Sequence, residues 1–143
     1  MNEERPEEYL EALHTLTEGG KPAKTTEIAS LMGVAPASVT EMLQKLAEEE
    51  YIDYRPYYGA SLTKKGLNIA RKVKRRHRLL ERFLVDFLEM DEDSAHKEAC
   101  RLEHVISDDV ERRFCSLMKH PQQCPDGNPI ARASCCIKKE TFL

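Results

Sequence analysis

Nowhere in the 143-residue chain does an apolar run approach the roughly 18 residues that a membrane-spanning helix requires. The start, Met1-Asn2-Glu3-Glu4-Arg5, is charged where a secretory signal is apolar. These absences argue against a membrane span or a secreted protein and point to the cytosol. Internal repeats and low-complexity segments are missing, and so is a Gly-rich loop of the kind that holds a substrate. The five cysteines are odd in number and unevenly spread, so they do not make a disulfide framework; metal ligation or free thiols fit them better. What the chain does contain, 41% hydrophobic and 33% charged residues, suits a soluble, largely helical protein of one ordinary domain or two very small ones.

The net charge of −3 conceals a strong segregation. Residues 1–53 carry 4 Lys/Arg against 12 Asp/Glu, whereas residues 60–82 carry 9 Lys/Arg against a single Glu. Binding of a polyanion depends on the local patch, so overall acidity does not exclude nucleic acid. The basic segment reads either as the footprint of such a partner or as a solvated helix face.

Apolar residues Tyr9, Leu10, Leu13 and Leu16 make a helical stripe over 7–16, with Pro6 at its start and Gly19-Gly20-Lys21-Pro22 ending it. A short helix over 26–32 follows, with Thr25 or Thr26 as cap and Ile28, Ala29, Leu31 and Met32 inward. After a turn at Gly33, a third helix runs from about 35 to 49 on Val39, Met42, Leu43 and Leu46. Short helix, glycine turn and longer helix form the pattern of a helix-turn-helix. Tyr51-Ile52-Asp53-Tyr54 and Ala60-Ser61-Leu62, joined by Arg55-Pro56-Tyr57-Tyr58-Gly59, read as the hairpin wing of a winged helix. Thr63 caps a long helix to about Phe87. Further helices span about 93–106 and start at Ser107-Asp108-Asp109, and the Pro/Gly/Asn-rich chain past Lys119 is irregular.

His96, Cys100, Glu103 and His104 fall at i, i+4, i+7 and i+8, so a helix through them presents two imidazoles, a thiol and a carboxylate on one face. These are the ligand types of a transition-metal site. His77 and Glu81 form an i, i+4 pair on the long helix, and Glu8 and Glu11 an i, i+3 pair on the first. Any one of these pairs alone reads as surface decoration; three helices each carrying one do not.

The segments Glu98-Ala99-Cys100-Arg101-Leu102-Glu103-His104 and Arg76-His77-Arg78-Leu79-Leu80-Glu81-Arg82, behind a winged helix, resemble the diphtheria toxin repressor family of iron- and manganese-dependent transcriptional repressors. The resemblance covers residues 6–131, including Cys124-Pro125-Asp126-Gly127-Asn128-Pro129-Ile130. It implies a mainly α fold: an N-terminal winged helix-turn-helix DNA-binding domain over 1–72, then an all-helical metal-binding and dimerisation domain over 73–120. An irregular Cys-containing tail occupies 121–143. It further implies a primary metal site of Cys100, Glu103 and His104 with Glu8 from the first helix, and an ancillary site of His77, Glu81 and His96. Iron-type members carry methionine at the Glu8 position; here Glu8 and then Glu11 match the manganese type, while Cys100 stands where that type has glutamate. The cofactor is thus Fe²⁺ or Mn²⁺, with a lean to iron; Zn²⁺, Co²⁺ or Ni²⁺ are possible in vitro. The SH3-like domain of many iron-type members, which completes the ancillary site, finds no room before Leu143.

Metal would overcome the mutual repulsion of Glu8, Glu11, Glu81 and Glu103 and so select one placement of the two winged helices in a homodimer, matched to operator half-sites roughly 34 Å apart. Leu79, Leu80, Phe83, Leu84, Phe87 and Leu88, with Val105, Ile106, Val110 and Phe114, would supply core and dimer surface. On duplex DNA, the exposed face of the third helix offers Pro36, Ala37, Ser38, Thr40, Glu41, Gln44 and Lys45, with Thr26 from the helix before it. Lacking arginine there, base readout is sparse. Phosphate contacts fall to Lys45, Arg55, Tyr57, Tyr58, Lys64 and Lys65.

Neither a separate base nor a nucleophile accompanies the ligand residues, so an enzyme with a small-molecule substrate is disfavoured. The alternative is a winged-helix regulator answering a small molecule or thiol oxidation, with the His/Glu pairs structural. Cys124, Cys135 and Cys136, with His120 nearby, read as free thiols in a flexible tail rather than a further site, and Cys115 as a packed small hydrophobe.

Overall fold

The computed structural model describes residues 6–136; the charged start at 1–5 and the tail's end at 137–143 lie outside the described residues. The chain divides into two compact units, Met1–Arg71 and Lys72–Leu143.

The first unit contains α1 (Pro6–Leu16), α2 (Thr25–Met32), α3 (Pro36–Glu48), a hairpin of β1 (Ile52–Arg55) and β2 (Gly59–Leu62), and the start of α4 (Lys64–Asp86). Its core is what the periodicity dictates: Tyr9, Leu10 and Leu13 of α1 meet Ile28, Val39, Leu43, Leu46, Ile52 and Ala60, all essentially buried. Pro36 stands at the first turn of α3, where its missing N–H costs nothing. The hairpin pairs Ile52 with Leu62 and Arg55 with Gly59. A one-residue third strand is added by Ala23, which exchanges both backbone hydrogen bonds with Ala60 at 2.9 and 2.8 Å. Gly59 is what permits that approach: its φ is +112°, and a Cβ there would stand 2.5 Å from the Ala23 carbonyl oxygen. Thr63 caps α4 as its sequence suggests, its hydroxyl accepting from the Gly66 N–H at 3.1 Å.

Two expectations are corrected in α2. The cap is Lys24, neither Thr25 nor Thr26, and its backbone N–H donates to the Glu27 carboxylate at 3.0 Å. Leu31, read as inward, is 52% exposed. At about 100° per residue the buried arc centres between Ile28 and Ala29; Met32 falls within it and Leu31 lies about 110° away.

The second unit holds the rest of α4, α5 (Glu92–Leu102), α6 (Asp108–Leu117) and the chain to 136. Leu80, Leu84, Ala95 and Ala99 form its core with Phe83 and Phe114, whose ring centroids are 4.6 Å apart. The expected core set divides: Phe87, Leu88, Val105 and Val110 are exposed. Helix α5 stops at Leu102 rather than running to 106. Ser107 is extended so that its hydroxyl can accept from the Val110 N–H at 3.1 Å, and the chain must leave one helix before it can cap the next. The segment after α6 is irregular but not loose. Cys124, Ile130 and Cys136 are buried, Arg75 Nε donates to the Ala131 carbonyl at 2.8 Å, and Arg78 Nη1 donates to that of Pro129 at 2.6 Å. The expectation of thiols in a flexible tail is therefore wrong in its setting. None of the described helices is long and apolar enough to cross a membrane.

Gly59→Ala is expected to destabilise the winged-helix unit by about 1–3 kcal/mol, because it combines a backbone clash with a left-handed φ. Denaturant unfolding followed by tyrosine fluorescence checks this; an unchanged midpoint would contradict the close approach to Ala23.

Candidate metal centre and nucleic-acid interface

His77 is the hub of the second unit's polar interior. It lies on α4 with a side chain only 11% exposed, one turn before Glu81, and its Nε2 is paired with the Glu81 carboxylate. Its Nδ1 lies 2.7 Å from Glu103 Oε2, and its Nε2 lies 3.1 Å from His96 Nδ1. His96 Nδ1 is also 3.5 Å from Glu81 Oε1. Cys100 Sγ stands 3.9 Å from His77 Nδ1 and 3.8 Å from His96 Nε2. His104 Nε2 approaches the other oxygen of Glu103 at 3.2 Å. The arrangement follows from helix geometry: His77 and Glu81 share a face of α4, and His96 and Cys100 share one of α5. Glu103 and His104 follow in the turn after α5, so the expected single helical face carries only His96 and Cys100. The latter two are exposed, whereas Glu103 and His104 have side chains 3% and 4% exposed.

Burial alone would strip His77 of its proton. The Cys100 thiol and the carboxylates of Glu103 and Glu81 outweigh that and lift its pKa to about 10. Glu81 and Glu103 thus share one imidazolium between them. Two imidazoles and a thiol offer ligand atoms within 4.8 Å of one another at His77, His96 and Cys100. Nitrogen, sulfur and carboxylate oxygen converging in this way fit a divalent transition ion. The sequence reading assigns His77 to an ancillary group and Glu103 to a primary one; in the fold the two are hydrogen-bonded to each other. Glu8 and Glu11 are carried by α1 of the first unit, where both are half-buried.

The sequence reading missed a second polar network altogether. Glu111 of α6 is buried and accepts from Arg75 Nη1 at 2.5 Å and Arg76 Nε at 2.6 Å. Arg76 and Lys72 also pair with Asp108. Arg75 and Arg76 of the basic stretch 60–82 are therefore turned into the second unit, while Lys64, Lys65, Arg71 and Lys72 of the same stretch are exposed. The available signal was the acidic first turn of α6, which needs cations opposite it.

In the first unit, Thr26, Pro36, Ala37, Glu41, Gln44 and Lys45 are exposed on α2 and α3, and Ser38 and Thr40 are half-buried. Thr40 Oγ1 is turned to the Pro36 carbonyl at 3.1 Å. Arg55 and Lys64 are exposed, but Lys65 is engaged: its Nζ donates to the Glu49 carbonyl at 3.1 Å and sits 4.3 Å from the Tyr51 ring centroid. Tyr57 and Tyr58 at the wing tip are 99% and 76% exposed. Tyr57 has a φ of +73°, a conformation an aromatic residue rarely adopts, held by the turn from the Arg55 carbonyl to the Tyr58 N–H at 3.1 Å. Beside it lies a shallow cleft of about 300 Å³ lined by Lys24, Thr25, Thr26, Tyr54, Tyr57 and Gly59. Lys24 and Tyr54 were not singled out from the sequence.

Comparison with known proteins places names on this arrangement. Residues 1–60 match the model of the iron dependent repressor N-terminal DNA binding domain, and residues 63–132 that of the iron dependent repressor metal binding and dimerisation domain. An uncharacterized HTH-type transcriptional regulator of Methanocaldococcus jannaschii is 42% identical over 114 residues, covering 79% of this chain and 91% of that protein. The iron-dependent repressor IdeR of Mycobacterium tuberculosis is 36% identical over 132 residues, covering 91% of this chain. There the match spans only 57% of the repressor's own length. A manganese-dependent transcriptional repressor solved in complex with manganese superposes with a TM-score of 0.82 at 35% identity, over 90% of this chain and 59% of that one.

Two outcomes follow from the polar interior. Glu111→Ala, which takes from buried Arg75 and Arg76 the carboxylate they share and leaves them the Ala131 carbonyl and Asp108, should cost about 3 kcal/mol in denaturant unfolding. A metal ligand must be a neutral imidazole, so an ion bound by His77 has to displace the proton held there with a pKa of about 10. Because the Cys100 thiol must also give up its proton to ligate, apparent affinity should then rise about a hundredfold per pH unit from pH 6 to 8, with about two protons released per ion in calorimetry across buffers. Proton-independent binding would exclude His77 as a ligand.

Proposed function

Because the chain belongs to the iron-dependent repressor family, whose members are DNA-binding transcriptional regulators and not enzymes, we propose that it represses metal-homeostasis genes as an Fe²⁺- or Mn²⁺-switched homodimer on palindromic operator DNA. The observation that carries this reading is the pair of buried carboxylates, Glu81 and Glu103, held against an ionisable His77 with His96 and Cys100 alongside. A bound divalent cation would supply the positive charge that these carboxylates take from the imidazolium, and would do so together with the Cys100 thiolate. His77, Glu81, His96, Cys100, Glu103 and His104 are the donors of the second unit. Glu8 and Glu11 are those the sequence resemblance contributes from the first.

Dimerisation is supported by Phe87, Leu88, Val105 and Val110, apolar side chains of the second unit left exposed in the single chain. A lone winged helix buries too little DNA surface for specificity, so the dimer is part of the function. On DNA, α3 presents Pro36, Ala37, Ser38, Thr40, Glu41 and Gln44 to base edges, with Thr26 beside it. Lys45, Arg55 and Lys64 meet phosphates, while Tyr57 and Tyr58 add contacts from the wing. Lys65 holds the wing's base against Glu49 and Tyr51 instead.

An anaerobic operator-binding titration with Fe²⁺, Mn²⁺, Zn²⁺ and Co²⁺ tests the reading. Chelated protein should bind at least about 100-fold more weakly than protein with Fe²⁺ or Mn²⁺, near 2.7 kcal/mol of coupling. Glu103→Ala and His104→Ala should each abolish that difference while retaining the helical spectrum. With three free cations per subunit, log affinity should fall on log salt with a slope of about −5 for the dimer. Equal affinity with and without metal would favour a regulator that answers another signal.

A further inference from the structure

The second unit gathers another set of soft donors away from those of the switch. Cys115 on α6, His120 just beyond it, and the neighbours Cys135 and Cys136 each offer one ligand atom, and these atoms all lie within 4.8 Å of one another. We propose that these four residues form a Cys3His site for Zn²⁺ that anchors the segment 121–136 to the helices.

The spacings are those of a coordination polyhedron. Zinc–sulfur bonds of about 2.3 Å at tetrahedral angles set sulfur atoms about 3.8 Å apart, and a nitrogen ligand about 3.6 Å from each sulfur. Cys115 Sγ lies 3.6 Å from Cys136 Sγ, and Cys135 Sγ lies 3.9 Å from Cys136 Sγ. His120 Nδ1 closes on Cys115 Sγ at 3.2 Å. The sulfurs are well beyond the roughly 2.05 Å of a disulfide bond.

The backbone is bent to make this group. After α6, two successive non-glycine residues, Lys119 and His120, take φ values of +60° and +55°. The His120 N–H donates to the Cys115 carbonyl at 2.7 Å, folding the imidazole back over the thiol. Left-handed conformations are unfavourable for an ordinary residue, and strain of this kind persists where the surroundings over-determine it.

Charge completes the case. Arg75 Nη2 faces the cluster, 3.3 Å from Cys115 Sγ, 3.8 Å from Cys135 Sγ and 3.9 Å from Cys136 Sγ. A guanidinium has only donors, so these sulfurs act as acceptors, a role that thiolates fill far better than thiols. Arg75 and Arg76 share the buried carboxylate of Glu111, and Arg76 pairs with Asp108 as well, so Arg75 is the cation turned to the sulfurs. Three thiolates, a neutral imidazole and Zn²⁺ carry one negative charge, which suits a guanidinium beside them. A metal anchor also suits the packing, since the apolar cluster under this segment has only Leu79 and Ile130 as buried aliphatic members.

Full-length protein purified anaerobically in reducing buffer, without chelator, tests the site. Cys135→Ser/Cys136→Ser should hold one equivalent of zinc fewer than the parent by plasma mass spectrometry, whereas Glu103→Ala should keep that equivalent. X-ray absorption at the zinc edge of His77→Ala/Cys100→Ala, which lacks an imidazole and the thiol of the other site, should show three sulfurs near about 2.3 Å and one nitrogen near about 2.0 Å. Because the double variant removes packing as well as ligands, His120→Ala, which keeps every thiol, should lose zinc to a chromophoric chelator at least about tenfold more readily than the parent. Equal zinc retention in the parent and both variants would overturn the assignment. So would a zinc edge without sulfur, or recovery of Cys135 or Cys136 in a disulfide from the anaerobic preparation. These readouts are independent of operator binding, so they stand or fall apart from the switch.

Discussion

Three buried carboxylates govern the second unit, and the kind of cation set against each decides what that carboxylate can do. Glu111 is held by Arg75 and Arg76. Arginine does not release its proton in a protein, so this pairing is permanent and serves as scaffold. Glu81 and Glu103 are held by His77, whose charge is a proton that can leave. The same electrostatic demand, a positive charge beside a carboxylate out of water, is met at Glu111 by fixed cations and at Glu81 and Glu103 by one shared, exchangeable proton. Only the second arrangement leaves room for another cation to take over the neutralisation. A switch of this type therefore needs histidine where a purely structural core would place arginine.

The fixed network has a consequence for DNA. Arg75 and Arg76 belong to the most basic stretch of the chain, yet they are turned inward, and Arg78 and Lys72 are engaged with Pro129 and Asp108. The first unit, rich in Asp and Glu, is left to meet a polyanion with a small number of outward cations and two wing-tip tyrosines. Phosphate contact from so few charges gives modest non-specific affinity. A regulator built this way does not cling to DNA by charge alone, and a coupling of a few kcal/mol then suffices to decide whether it is bound.

Local chemistry was legible in the sequence, and long-range chemistry was not. The winged helix followed from Pro36, Gly33, the alternating strands and Thr63, each of which acts on its immediate neighbours. The donors of α4 and α5 were legible because a helix places residues four apart on one face. The end of α5 was missed because it is set by Ser107 having to cap the following helix, a requirement outside the periodic stripe. Leu31 was misread because an eight-residue helix has too few apolar positions to fix its buried arc. Arg75 and Glu111 are 36 residues apart, and Cys115 and Cys136 are 21 apart. Nothing in the spacing of such pairs announces a contact, and their burial reveals them only once the chain is folded. Cys115 takes the place among the tail thiols that proximity in sequence had suggested for Cys124.

Metal preference turns on the same donors. Imidazole and thiolate at His77, His96 and Cys100 would bind zinc at least as tightly as iron or manganese, by the ordinary order of divalent affinities. Carboxylates at Glu81 and Glu103 would moderate that preference without reversing it. Tightness of binding is therefore a poor guide to the ion that switches the protein. A ligand moves a conformational equilibrium only by the difference in its affinity for the two states, however strongly it is held in both. An ion fully satisfied by donors that are already assembled gains nothing from a further rearrangement and shifts little. The ion that acts as a signal is the one whose coordination demand exceeds what this preformed cluster supplies, and six-coordinate iron and manganese exceed it more than four-coordinate zinc.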